Sequence, residues 1–259
     1  MSAELQASRR DATLILTISN PGAKNALHPD IYAAAIETLS TAERDDSIRA
    51  VVLTGAHNFF CAGGNLTRLL ENRAKDKSLQ AESVNSLNGW IEAIRDCPKP
   101  VIAAVEGAAA GAGFSLALAC DLIVASESAK FVMAYVNVGL TPDGGGSWFL
   151  TQALPHQLAA ELLIGGEIIL APRLHQLGVV NRVTQNGAAL EYALNWADNL
   201  AMLSPNAVEG IKSLMQQARG NALAQHLETE KNSFVESLHH RDGQEGISAF
   251  LEKRKPVYK

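Results

Sequence analysis

Apolar residues fall into short unbroken runs, set apart by glycine, proline and polar clusters, and these runs alternate with stretches of helical period up to about residue 185. Residues 12–18, 49–54, 101–105, 121–125, 129–133 and 179–183 are runs rich in Val, Ile, Leu and Ala, of the length and make-up of buried strands. Between them, residues 31–43 put Ile31, Ala35, Leu39 and Ala42 on one helical face, and residues 84–97 do the same with Leu87, Trp90, Ile91 and Ile94. Short helices are predicted at 115–120, 147–150, 156–164 and 171–177. The polar, charged stretch 67–83 predicts an irregular or mobile helical segment. Past Gly187 the pattern is helical only, at 188–202, 205–217, 221–237 and 243–255. Strands alternating with helices define an α/β core of βαβ units. The expected division is a core over residues 1–190 and a helical C-terminal region over 191–259, packed on the core or on a neighbouring subunit.

Composition narrows the classes. The 259 residues are 47% hydrophobic and 19% charged, ordinary for a soluble globular protein, and the net charge of −5 argues against a nucleic-acid binder. No run of about 20 residues is free of charge, so no membrane span is expected. Cys61, Cys97 and Cys120 form no CxxC pair, which predicts reduced thiols and a cytoplasmic setting.

Three glycine-rich turns follow strands: Cys61 to Asn65, Gly107 to Gly113, and Asp143 to Gly146. Small residues at strand–helix corners are common for steric reasons alone. Yet a strand that turns sharply into a helix leaves N–H groups without partners, and small residues let an anionic oxygen approach them. A dinucleotide site is excluded, because Leu116 stands where GxGxxG needs its third glycine. Gly113 to Ala117 is a degenerate nucleophile elbow around Ser115, with no later histidine in a telling context. Its hydroxyl fits a small pocket, or a bond back to its own helix, better than a hydrolase. His239, His240 and Asp242 end a polar helix and fit a solvated surface better than a metal site. Asp143, after Pro142 and before three glycines, suits two roles equally well: a helix N-cap or an acid/base. A helix dipole would lower its pKa, and burial near Leu140, Trp148 and Phe149 would raise it.

Motifs in a fixed order then match a known family. They are Asn20-Pro21 with Lys24 to Leu27; Phe60 to Leu66; Lys99 to Ala103; Gly107 to Gly113 up to Asp121; Gly139 to Gly146; and Phe250 to Pro256. Along almost its whole length the chain resembles the enoyl-CoA hydratase/isomerase (crotonase) superfamily. That resemblance implies a spiral of ββα units with a helical C-terminal region, a homotrimer or homohexamer, and an acyl-CoA substrate with no metal and no separate cofactor. It maps an oxyanion hole onto the backbone N–H groups of Gly64 and Ala112. It also maps CoA contacts onto Lys24, Cys61, Ala62, Gly63, Asn65, Leu66, Phe250 and Lys253. Apolar pocket candidates are Trp90, Ser115, Tyr135, Val136, Leu140 and Trp148, with Leu66. The two glutamates of the family's hydratases align with Ser115 and Tyr135, so the usual hydration route is not expected. Asp143, with the run from Ser128 to Ala134, resembles the isomerase branch that includes the 1,2-epoxyphenylacetyl-CoA isomerase type. The implied reaction is a double-bond shift or ring rearrangement, as in fatty-acid or phenylacetate metabolism, with Asp143 as acid/base. The alternatives are an enoyl-CoA hydratase and a non-catalytic acyl-CoA binder.

Overall fold

The computed structural model describes residues 3–258. Two antiparallel strands, β1 (Glu4–Arg10) and β2 (Thr13–Ser19), open the chain. β1 was not expected: its sequence ELQASRR is mostly exposed and lacks apolar alternation, and its pairing to β2 supplies the reason to be extended. Helix α1 (Pro29–Arg44) buries Ile31, Tyr32, Ala35, Leu39 and Ala42, and leads to β3 (Ala50–Gly55). The stretch expected to be irregular is regular. It forms α2 (Leu66–Arg73) and the first two turns of α3 (Lys77–Asp96). Its polarity reflects exposed faces. Each helix is started by a side-chain cap, Asn65 onto the Arg68 N–H and Asp76 onto the Ser78 N–H.

Next come β4 (Val101–Val105), β5 (Ala108–Ala110) and α4 (Ala112–Ala119), then β6 (Leu122–Ser126) and β7 (Lys130–Val132). Helices α5 (Gly146–Ala153) and α6 (His156–Gly165), strand β8 (Ile169–Leu170), helix α7 (Ala171–Gln176) and strand β9 (Arg182–Thr184) complete the alternation. Helices α8 (Ala189–Ala201), α9 (Pro205–Gln217), α10 (Leu223–His239) and α11 (Arg241–Leu251) follow. What looked like one glycine turn between 107 and 113 therefore contains a three-residue strand, too short and too alanine-rich to carry a pattern.

The large sheet runs β1-β2-β3-β4-β6-β9, parallel except for β1. A second sheet runs β5-β7-β8, and Cys61 extends it by a parallel bridge to Ala109. So each unit gives one strand to the large sheet, one to the small sheet, then a helix: β3, the Cys61 bridge and α2; β4, β5 and α4; β6, β7 and α5. The pairings Cys61 to β5 and β5 to β7 are parallel, so all three glycine-rich turns emerge from the same end of the small sheet.

The central strands are apolar throughout because both faces are covered. Val51, Leu53, Ala103 and Val105 face the main core, while Ala50, Val52, Ile102 and Ala104 face Ala189, Ala193, Leu194 and Ala197 of α8. Residue 191 thus lies inside a helix that covers the sheet, and only α9 to α11 lie beyond that layer. An ion pair ties α9 back. Lys212 Nζ lies 2.7 Å from Asp121 Oδ2 and also donates to the carbonyls of Ile94 and Lys99.

Candidate active site

Two of the turns touch. Gly63 has φ of +83°, and a Cβ on it would lie 2.5 Å from Ala110 O and 3.3 Å from Ala112 N, so only glycine fits. A Cβ on Gly113 would meet Cys61 O at 2.5 Å. This contact seats the start of α4 on the Cys61 strand. The Gly111 N–H donates to Val132 O, and Phe114 and Ser115 donate back to Gly111 O. Among the described residues, the N–H groups of Gly64 and Ala112 donate to no protein acceptor. Both residues line a small cavity of about 30 Å³, together with Asp143. Two unspent amides facing one small void can hold an oxygen that gains negative charge.

Asp143 is not a helix cap. Gly145 holds the N-cap position of α5 without a side-chain bond, and Asp143 contributes its backbone carbonyl to the Gly146 N–H. Its side chain turns the other way, and Oδ1 accepts the Tyr135 hydroxyl at 2.6 Å. The Ser115 hydroxyl donates to the Asp143 carbonyl oxygen at 3.0 Å, rather than to its own helix. Burial pushes the Asp143 carboxyl above its usual range, and the Tyr135 bond opposes this. Packing leaves little room for a side chain at the glycines after it. A Cβ on Gly144 would lie 3.2 Å from Ser115 Cβ, and one on Gly146 would lie 2.7 Å from Ser115 Oγ.

Two residues of this cavity carried no local signal. Tyr32 arrives on the buried face of α1, and its phenol is held well above the normal range by burial first and by Asp143 second. Arg68 comes from α2 and donates to Ser83 Oγ of α3 at 2.9 Å. Their helices had to be placed before these side chains could be. Among the described residues lining this cavity, Asp143 is the one carboxylate.

A second cavity, about 1100 Å³ and open to solvent, adjoins the first and shares Leu69, Gln80 and Val84 with it. Leu66, Leu70 and Leu140 give it an apolar wall, and Arg73, Lys75 and Lys77 stand at it as well.

The other sequence-predicted residues scatter. Trp90 is fully buried against Tyr32 in the main core, not in a cavity. Trp148 lies on the outer side of α5 with Arg219 over its ring, and Val136 packs near Gly166, so neither lines either cavity. Ser115 and Tyr135 sit behind Asp143 rather than in the cavity wall. Cys61 offers no free backbone N–H. Its N–H and C=O are spent on Ala108 and Ala110, and its thiol is buried, with burial pushing its pKa up to about 12. The Ala62 N–H is spent on the Lys24 carbonyl, and Gly63 donates to Cys61 Sγ. Asn65 uses its side chain as the α2 cap. Lys24 is exposed with φ of +50°, and Leu66 is exposed at the open cavity. Phe250, 83% exposed, and Lys253, in a left-handed turn, end α11 with no apolar cover among the described residues. His240 caps α11 through Nδ1, and Asp242 bonds Ser204.

The ββα spiral agrees with what comparison finds. The family model for enoyl-CoA hydratase/isomerase matches residues 9–259. The chain belongs to that family, the crotonase superfamily. The 2,3-dehydroadipyl-CoA hydratase of Escherichia coli K12 is 37% identical over 256 residues, 99% of this chain and 98% of the relative. The 1,2-epoxyphenylacetyl-CoA isomerase of the same organism is 35% identical over 246 residues, 95% and 94%. A crystal structure of an enoyl-CoA hydratase from Polaromonas sp. JS666 superposes with a TM-score of 0.98 at 56% identity, over 99% of this chain and all of that one.

Proposed function

We propose that this protein is an acyl-CoA isomerase that shifts a double bond, or rearranges a ring, in an enoyl-CoA thioester. The observation that carries this reading is the cavity with two unspent amides and a single carboxylate. The thioester oxygen sits between the Gly64 and Ala112 N–H groups. Asp143 takes a proton from C2 of a 3-enoyl chain, and the electron pair moves onto the thioester oxygen as a dienolate. The two amides hold that charge, and Asp143 returns the proton at C4 to give the 2-enoyl ester. One base suffices because both carbons lie on one face of the planar dienolate. Burial suits Asp143 to the work by raising its proton affinity. The reaction needs no metal and no cofactor beyond the CoA of the substrate.

The open cavity with Leu66 and Leu140 receives the acyl group, and Lys24, the loop from Ala62 to Asn65, Phe250 and Lys253 contact CoA. Exposed Ile211, Met215, Leu227 and Phe234 support a homotrimer or homohexamer built through α9 to α11. The three free, buried cysteines support a cytoplasmic setting, and no described helix is long and apolar enough to cross a membrane.

Hydration is the second reading, favoured by the printed activities of two relatives. Against it stands the lack of a second carboxylate, since the resemblance aligns the hydratase glutamates with Ser115 and Tyr135, and both of these bond Asp143. The test offers 3-enoyl-CoA and 2-enoyl-CoA separately in D₂O and follows product mass. Interconversion of the two esters supports the isomerase. Formation of 3-hydroxyacyl-CoA sinks it in favour of hydration, and binding without any proton exchange leaves only a CoA-ester binder.

A further inference from the structure

Tyr135 precedes a 3-10 turn (Val136–Val138), and its carbonyl accepts from Val138 and Leu140. Its hydroxyl donates to one carboxylate oxygen of Asp143, Oδ1, at 2.6 Å. Its ring lies over Gly111, where a Cβ would stand 3.5 Å from Tyr135 Cζ and 3.7 Å from the hydroxyl oxygen. Gly111 is the residue before the unspent Ala112 amide. One phenol therefore touches both the carboxylate and the loop that presents an amide.

We infer that Tyr135 is a positioning residue that occupies Oδ1 of Asp143, so that Oδ2 alone takes the proton from the acyl chain and gives it back. This rests on Asp143 being the base. Three consequences follow from the geometry. The hydroxyl bond fixes the plane of the carboxylate against rotation. It favours the ionised form, so it offsets part of the rise that burial causes. It also removes from solvent the lone pairs through which a captured proton would exchange before its return.

The groups that face Asp143 are few. Tyr135 comes from its own loop, Tyr32 from α1 and Arg68 from α2, with the buried Cys61 behind Tyr32. Helices α3 and α4 bring Gln80, Ser83, Val84, Leu87, Ala112 and Ser115, none of which titrates in the working range. Loss of the Tyr135 hydroxyl therefore reads out on Asp143 without another group changing charge beside it.

The test is Tyr135→Phe, which keeps the ring over Gly111, with a melting curve to show that it folds. Two readouts are taken with a 3-enoyl-CoA substrate: the pH profile of kcat/KM, and in D₂O the fraction of protium carried from C2 to C4. The expected result is an acid limb moved to higher pH, a roughly tenfold lower kcat/KM below that limb, and a smaller carried fraction. A variant with the native limb and native carry-over overturns the inference. So does a uniform loss at every pH with carry-over unchanged, which marks a merely structural ring. Asp143→Asn is measured alongside: native turnover in that variant removes the base itself, a failure separate from that of Tyr135.

Discussion

Asp121 and Asp143 are both half-buried aspartates at the ends of small-residue segments, yet their surroundings differ in kind. Asp121 Oδ2 accepts the Val101 N–H at 2.8 Å and the Lys212 ammonium at 2.7 Å, and that ammonium also bonds two carbonyls. Charge meets charge, and the corner locks β4, β6, α3 and α9 together. Asp143 receives only a neutral hydroxyl on Oδ1, and burial raises its pKa. A carboxylate spent on an ammonium and a backbone N–H is a structural anchor. One hydrogen-bonded by a neutral phenol alone, with burial raising its pKa, can take up a proton, as a base requires.

The sharpest way to break this contrast is to remove each charge in turn. Asp143→Asn lowers kcat by about 10³-fold, ~4 kcal/mol in the barrier, while acyl-CoA binding stays near native; steady-state kinetics and titration calorimetry check both. The same variant melts no lower than the native protein. Because folding raises the Asp143 pKa, the native state binds the proton more tightly, so ionising this group costs stability as pH rises through the raised value. Asn removes that cost and can still accept from Tyr135. A clear drop in melting temperature would mean that the carboxylate is structural after all.

Lys212→Met has the opposite signature. It leaves Asp121 without its cation and costs about 3 kcal/mol of folding stability, seen in urea unfolding, with kcat per folded molecule unchanged. The pH profile of the native enzyme should show an acid limb above the ordinary carboxylate range. The ionised base is lost as pH falls through the raised Asp143 value. Ser115→Ala has the smallest effect. It deletes one hydrogen bond to the Asp143 carbonyl and lowers kcat by about fivefold, ~1 kcal/mol, with CoA binding intact.

Much of this contrast could be read along the chain, and some could not. The strands at 49–54, 101–105 and 121–125 were legible because burial on both faces makes a continuous apolar run. The three glycine turns were legible because close approach excludes a side chain. Strand β1, helix α2 and the first turns of α3 were obscured because pairing and caps, not apolar period, hold polar residues in regular structure there. Resemblance put Cys61 at CoA and apolar character put Trp90 and Trp148 in the pocket, while packing buries Cys61 and Trp90 in the core and leaves Trp148 on the outer side of α5.

Local sequence determined where the chain must turn tightly and which runs must be buried, since glycine's freedom and apolar burial act on neighbouring residues. It also placed an aspartate at one of those turns. Only the tertiary structure decided that the amides of Gly64 and Ala112 are left over together, that Tyr135 rather than a helix takes the Asp143 side chain, and that Tyr32 and Arg68 share the cavity. Those relations join residues 8 to 111 positions apart. They depend on the order of strands in two sheets, which no short stretch of residues encodes.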